Sequence, residues 1–347
     1  MTLDAHLHAF YSDNTASVAP EMLAAVAAAN KGPQKSYGDD PWTLRLDAAF
    51  SSFFATEVKA FVVTTGTAAN ALSLATLAPP YGNVYAHSGA HVVEDECGAV
   101  EFFSGGARLT LVGGEHGRMD PRALAAELES HPVSVHSVQP AAITLTQATE
   151  LGASYSPAAV RALTTVARRH GLHTHMDGAR IANALEFLQC EPADVTWRAG
   201  VDVMSFGATK NGALAAEAVV FFNLTLVRDF ELRRKRAGHL LSKSRYAAAQ
   251  LLTYVETGLW RTNAARANQF AQRIATAAGA RLAHPVEANE LFLNLGTSGK
   301  EALRAKGFGF YDWGPATGPE ARFVVSWDQT QESVDALCDA LRAVPPV

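Results

Sequence analysis

Lys59-Ala60-Phe61-Val62-Val63-Thr64-Thr65-Gly66-Thr67-Ala68-Ala69-Asn70-Ala71-Leu72 decides the fold. An apolar run, Ala60 to Val63, leads through two threonines to a glycine and then gives way to alanines and leucines at helical spacing. The run predicts a buried strand over 59–65 and a helix over 67–77, with Gly66 as the punctuation between them. Apolar runs of this kind recur between Ala-rich helical stretches. That alternation predicts βαβ units around a mostly parallel sheet, an α/β fold. Pro157 opens a helix to about Arg169, Gly171 stops it, and a short strand over 172–176 ends at Asp177. Another strand, over 201–206, ends just before Lys210. From about Phe230 the pattern shifts to long amphipathic helices as far as Ala278. Short strands over 290–295 and 322–327 follow, then a last helix over 333–343 with a Val334, Leu337 and Leu341 stripe. A large domain over 1–235 and a smaller C-terminal α/β domain over 236–347 are expected.

The chain has 347 residues, 48% of them hydrophobic, enough for a sizeable core. A net charge of −5 argues against neutralisation of phosphates on nucleic acid or anionic lipid. The one basic run, Arg233-Arg234-Lys235-Arg236, reads as a solvated helix face. Cys97, Cys190 and Cys338 are far apart and lack metal-ligand spacing, so neither a disulfide framework nor a zinc site is expected. No basic and apolar leader opens the chain, and no apolar run is long enough for a bilayer. A cytoplasmic protein with no membrane partner is expected.

Asp177 and Lys210 each lie just past a strand, where parallel α/β sheets place their ligands. An Asp and a Lys so placed suit pyridoxal phosphate: the lysine binds it covalently, and the carboxylate keeps its pyridine nitrogen protonated. Thr65-Gly66-Thr67 closes a strand and opens a helix, offering backbone N–H groups and the positive dipole end to a phosphate. Taken singly, each also has a plain structural reading, as a helix cap for Asp177 or Thr65 and a surface cation for Lys210. No G-x-G-x-x-G follows a strand, and the surroundings of Lys210 do not match a P-loop.

Read together, these motifs resemble the low-specificity L-threonine aldolases of the fold-type I, aspartate-aminotransferase-like group of pyridoxal-phosphate enzymes. The resemblance covers nearly the whole chain. It runs through Ser12-Asp13-Asn14, Tyr37-Gly38-Asp39-Asp40-Pro41, Thr65-Gly66-Thr67, His91 ahead of Gly98-Ala99, His175-Met176-Asp177-Gly178-Ala179-Arg180, Thr209-Lys210-Asn211-Gly212 and Arg322.

The resemblance implies cleavage of β-hydroxy-α-amino acids such as threonine, allo-threonine or phenylserine to glycine and an aldehyde. It implies Lys210 as the covalent anchor of the cofactor, Asp177 as the pyridinium partner and Thr65, Gly66 and Thr67 as the phosphate cradle. His91 would stack on the cofactor ring. Arg180 and Arg322, with Ser12, would hold the substrate carboxylate in a two-bond fork, and Arg180 is also counted with the cofactor site. Arg245 is similar to an arginine that reaches the cofactor phosphate of a neighbouring subunit, and Tyr37 and Asp40 lie in a segment brought to that shared site. A homodimer or homotetramer is therefore implied. The β-hydroxyl proton needs a base, either His91 or a water near the phosphate. The chain departs from part of the family where Thr146-Gln147-Ala148-Thr149 replaces Glu-Asn-Thr-His, which leaves Thr149 as the expected contact to the substrate hydroxyl. Asn14, where threonine is common, is a smaller departure.

Rival readings are a β-eliminating lyase or an aminotransferase on the same lysine and aspartate, and a cofactor-binding protein without turnover. A more remote one is a metal-dependent amidohydrolase, suggested by the His-x-His pair in Asp4-Ala5-His6-Leu7-His8. Few residues precede that pair to form a first barrel strand, and no metal is expected.

Overall fold

The computed structural model describes residues 8–132, 134–315 and 318–344. Seven strands form the main sheet. In chain order they are β1 (Lys59–Val63), β2 (Gly82–His87), β3 (Arg108–Val112), β4 (Gln139–Thr146), β5 (His173–Gly178), β6 (Val203–Gly207) and β7 (Glu217–Phe221). Their order across the sheet is β1-β7-β6-β5-β4-β2-β3. β2 to β6 pair in parallel along their side of the sheet, and only β7 runs antiparallel, between β6 and β1. The carboxyl ends of β1, β4, β5 and β6 thus share one edge. Register sets the rows there: Thr146 pairs with Asp177 and Asp177 with Ser205, while Glu217 pairs with both Gly207 and Val63.

The helix after β1 spans Gly66–Leu77 and is buried from Ala68 to Ala75. Alanines dominate because the sheet lies on one side and the helix Ala99–Ser104 on another, leaving no solvated face. Thr65 caps it, its Oγ1 accepting from the Ala68 amide at 3.1 Å. The helix Pro157–Arg169 has the expected bounds: Ser156 caps it, and Gly171 stands at φ +75° beyond it.

The apolar packing of the main sheet and that of the C-terminal sheet part later in the chain than position 236. The helix Arg245–Glu256 packs on Pro20–Ala29 and Leu46–Phe54, and the helix Leu259–Ala278 contributes Trp260 and Ala264 to the core of the main sheet. Its second half, from Phe270 on, joins a second core with Leu291, Leu293, Phe323, Val334, Leu337 and Leu341. That core backs a three-stranded antiparallel sheet of Tyr311–Asp312, Glu320–Val324 and Glu290–Asn294. The N-terminal segment belongs with it: His8–Ala9 pairs in parallel with Phe308–Gly309, and Phe10 is buried in the second core.

The basic run is not uniformly solvated. Arg234 is 8% exposed and stacks over the Phe61 ring at 5.0 Å, where burial pulls its pKa down to about 10. Of the amidohydrolase-like pair, His6 lies outside the described residues, with Asp4, Ala5 and Leu7. His8 stacks on Phe308 at 4.9 Å and bonds Ser333 Oγ through Nδ1 at 2.9 Å. Among the described residues no three His, Cys, Asp or Glu side chains cluster as metal ligands would.

Candidate active site

Two adjoining cavities open at the carboxyl edge of the main sheet. The inner one, of about 270 Å³, is lined by Thr65, Gly66, Thr67, His91, Asp177 and Lys210, among others. The outer one, of about 610 Å³, adds Ser12, Trp313 and Arg322. Asn14, His91, Glu150, Arg180 and Lys210 belong to both.

Each side chain is placed by the element that carries it. Asp177 stands near the end of β5; its Oδ1 accepts from the Ala179 amide at 2.9 Å and its Oδ2 from Asn70 Nδ2 at 2.6 Å. Lys210 sits in the 3₁₀ turn Thr209–Asn211 after β6. That turn is pinned by Asn211, whose Nδ2 donates to Tyr254 Oη at 2.7 Å and to the Trp260 carbonyl at 2.8 Å. Gly212, at φ +112°, must be glycine: a Cβ there would lie 2.9 Å from Asn263 Nδ2. Gly66 differs, since a Cβ added to it would meet nothing within 4 Å. The first turn of its helix therefore faces open space, with amide groups for an anion.

His91 is oriented by a residue the sequence reading missed. Its Nδ1 lies 2.8 Å from Glu96 Oε1, and the same oxygen accepts from Asn70 Nδ2 at 2.8 Å. The Glu96 carboxylate raises the His91 pKa above its ordinary value, ahead of the opposing effect of burial. His175, two residues before Asp177, is a satisfied core histidine between Thr144 Oγ1 and Ser205 Oγ. Burial pulls its pKa down to about 4.

The arginines stand in an ionic cluster. Arg180 Nε and Nη2 donate to Asp13 at 2.7 and 2.9 Å, and its Nη1 lies 3.2 Å from Glu290 Oε2. Arg322 is bound to the other oxygen of Glu290. Burial would raise the Asp13 pKa, but the charges of Arg180 and Lys210 overcome it and hold it at about 2. Glu290 is fully buried, and nothing in its local sequence marks it.

Thr149, expected at the site, is not brought to the cavities, and neither are Tyr37, Asp40 and Arg245, whose expected place is the site shared with a neighbouring subunit. Thr149 is buried in a turn, its Oγ1 donating to the His116 carbonyl at 2.8 Å and accepting from the Ala153 amide at 3.1 Å. It lines neither cavity of this chain; its neighbour Glu150 lines both, because the turn after β4 presents the next side chain instead. Tyr37 is 52% exposed beneath Lys235 Nζ at 4.9 Å, and Arg245 Nε donates to the Ala29 carbonyl at 3.1 Å. Neither lines the inner or the outer cavity of its own chain. Asp40 is a buried loop tie that accepts from the amide and hydroxyl of Thr43. Glu217, also missed, lines the inner cavity, and burial pushes its pKa up to about 7.

These residues fit pyridoxal phosphate. A buried carboxylate, a lysine and an amide-lined helix start surround one cavity, the position beside Gly66 is open, and Asn70 Oδ1 and Glu150 Oε2 are buried without a hydrogen-bond partner.

Comparison with known proteins agrees. The beta-eliminating lyase family matches residues 9–297. A low specificity L-threonine aldolase of Pseudomonas aeruginosa is 43% identical over 343 residues, 98% of each chain. A solved threonine aldolase of Leishmania major superposes with a TM-score of 0.91 at 24% identity, over 97% of this chain and 100% of that one. A serine palmitoyltransferase of Sphingomonas wittichii shares the fold, with a TM-score of 0.71 at 16% identity over 97% of this chain and 86% of that one.

Proposed function

The chain belongs to the beta-eliminating lyase family, in the branch of low-specificity L-threonine aldolases, and from that premise we propose how its residues cleave a β-hydroxy-α-amino acid to glycine and an aldehyde. L-Threonine, L-allo-threonine and related amino acids are the substrate class, and pyridoxal phosphate is the cofactor. One observation carries the reading: Asp177, near the end of one parallel strand, and Lys210, just beyond the neighbouring one, line a single cavity with the open helix start at Gly66.

In this reading Lys210 anchors the cofactor through its Nζ, Asp177 pairs with the pyridine nitrogen, and Thr65, Gly66 and Thr67 receive the phosphate. His91, held by Glu96, would flank the bound ring. Bound there, pyridoxal phosphate supplies an electron sink for the pair left on Cα when Cα–Cβ breaks. Arg322 and Ser12, beside Arg180, take the substrate carboxylate in the outer cavity and so fix which bond at Cα is strained toward cleavage. The buried Arg180–Asp13 pair keeps that end of the cavity rigid.

The same proposal includes a homodimer or homotetramer in which Arg245 and Tyr37 of a second copy complete the site. Their exclusion from the cavities of their own chain supports this. A cytoplasmic location is also proposed, on the strength of three free cysteines. No helix among the described residues is long and apolar enough to cross a membrane.

The test is the visible absorption of the purified protein, with and without glycine, together with product analysis on threonine. A yellow protein that responds to glycine and releases glycine plus acetaldehyde meets the expectation. Pyruvate and ammonia from serine, or 2-oxobutyrate and ammonia from threonine, would instead favour β-elimination, and Lys210→Ala retaining a lysine-type absorption band would remove Lys210 as anchor.

A further inference from the structure

Glu150 is the carboxylate that the inner and outer cavities share. It is set by the turn after β4, which is tied down on several sides. The Gln147 amide donates to the Asp177 carbonyl at 2.7 Å, Gln147 Nε2 donates to the Tyr155 carbonyl at 2.8 Å, and the Tyr155 amide returns a bond to Gln147 Oε1 at 2.8 Å. Within this frame the two carboxylate oxygens have different surroundings. Oε1 accepts from the His91 amide and from Thr146 Oγ1, both at 2.7 Å. Oε2 is buried and has no hydrogen-bond partner. A buried acceptor left unpaired on a side chain that lines a cavity is costly unless something that enters the cavity pairs with it.

We propose that Glu150 Oε2 takes the proton of the substrate's β-hydroxyl group during cleavage. This rests on the aldolase reading above. In the step, the O–H bond breaks as its proton passes to Oε2, and the released electron pair closes the aldehyde C=O bond. Cα–Cβ breaks at the same time, and its pair stays on Cα until Cα takes up a proton to become glycine. Glu150 then gives its proton back to solvent, so no oxidant, reductant or net proton is required.

The surroundings suit that work. Burial pushes the Glu150 acid up to about 7, against the bonds from Thr146 Oγ1 and the His91 amide, with Asp177 adding to the rise. The other charged or titratable groups that face it are Arg180, whose charge its carboxylate favours, and the Tyr155 phenol, whose ionisation it opposes. His91 is less suited to take the proton, since Glu96 favours its protonated form. Thr149, expected only as a neutral contact to the substrate hydroxyl because it aligns with a family histidine, donates instead to the His116 carbonyl.

Glu150→Gln keeps an oxygen for Thr146 and His91 and removes the base. Threonine cleavage, glycine α-proton exchange in heavy water, and the spectral titration of threonine binding are compared on the loaded enzyme. The infrared carboxyl band of the cofactor-free protein is titrated alongside. The expected result is a cleavage kcat lower by about 10²- to 10⁴-fold, with glycine exchange and threonine binding within about threefold of the wild type. Of the two carboxyl signals expected near neutrality, from Glu150 and Glu217, one is lost in Glu150→Gln and the other stays, and Glu150→Asp, which restores a carboxylate, recovers part of the cleavage rate. Unchanged cleavage in Glu150→Gln, or an equal fall in cleavage and glycine exchange, overturns the assignment. A wild type that exchanges the glycine proton yet forms no aldehyde from threonine overturns the aldolase reading itself, and Glu150's role with it.

Discussion

Glu290 and Arg322 sit diagonally across two antiparallel strands, and Glu290 Oε1 accepts from Arg322 Nε at 3.2 Å and from Nη2 at 2.6 Å. Diagonal neighbours on one face of a ladder are close enough for long side chains to meet. The second Glu290 oxygen faces Arg180, which also holds Asp13. Two guanidinium groups are therefore balanced by two carboxylates, and an incoming substrate carboxylate competes for donors already in use.

Arg322→Ala is expected to raise KM for threonine more than it lowers kcat. A charged partner lost from a partly desolvated carboxylate site costs about 2–3 kcal/mol, or about 30- to 150-fold in KM. Steady-state kinetics decide; an unchanged KM would move the carboxylate to another group.

Glu290→Gln is expected to weaken the fold, because it leaves two guanidinium groups facing a neutral amide in a buried setting. A loss of about 3 kcal/mol in urea unfolding is the expected size. A loss below about 0.5 kcal/mol, the range of ordinary surface substitutions, would show that solvent or Asp13 compensates.

The Asp13 carboxyl gives a pH prediction. Its folded pKa of about 2 lies below the ordinary 3.8, so its stabilising share is fully present above pH 3.8 and is lost as pH falls toward 2. The share is about 2 kcal/mol. Asp13→Asn should flatten the acid limb of stability over that window; a limb of unchanged steepness would assign it to other carboxylates.

Gly66→Ala separates the fold from the cofactor site. With nothing within 4 Å of the new methyl, the cofactor-free protein should be as stable or gain about 0.5–1 kcal/mol, as helices favour alanine over glycine. Affinity for pyridoxal phosphate should fall by about tenfold or more, since 1.4 kcal/mol of crowding suffices. Equal affinity in a fluorescence titration would place the phosphate elsewhere.

Glu96→Gln should lower the His91 pKa, because the carboxylate that favours the imidazolium is gone. Proton NMR of the His91 ring would show its midpoint moving to lower pH. A fixed midpoint would mean that Asp177 or another charge sets it.

How much of this was legible in the sequence depended on whether the signal was local. The turn at Gly66, the strand that carries Asp177, the strand end before Lys210 and the helix Pro157–Arg169 all announce themselves within a few residues, through apolar runs, a glycine or a capping serine. Glu96 and Glu150 do not. The meaning of Glu150 lies in a bond to an amide 59 positions away, and Glu290 matters through Arg180 and Arg322, which no periodicity links to it. The antiparallel turn of β7 was also unreadable, since a short buried strand looks the same in either direction. The boundary near 236 was set by a change in helix amphipathicity, whereas the cores part inside one continuous helix.

Asp177, Lys210 and the helix start at Gly66 all hang from the main sheet, while Trp313, Glu290 and Arg322 hang from the three-stranded sheet over the second core. In the proposed reading, the groups that would hold the cofactor and the Arg322 side of the outer cavity, where the substrate carboxylate would bind, thus rest on separate foundations. Variation confined to the second foundation can re-size what enters while the first is left as it stands, which gives a designer of new aldol specificities a natural seam along which to work.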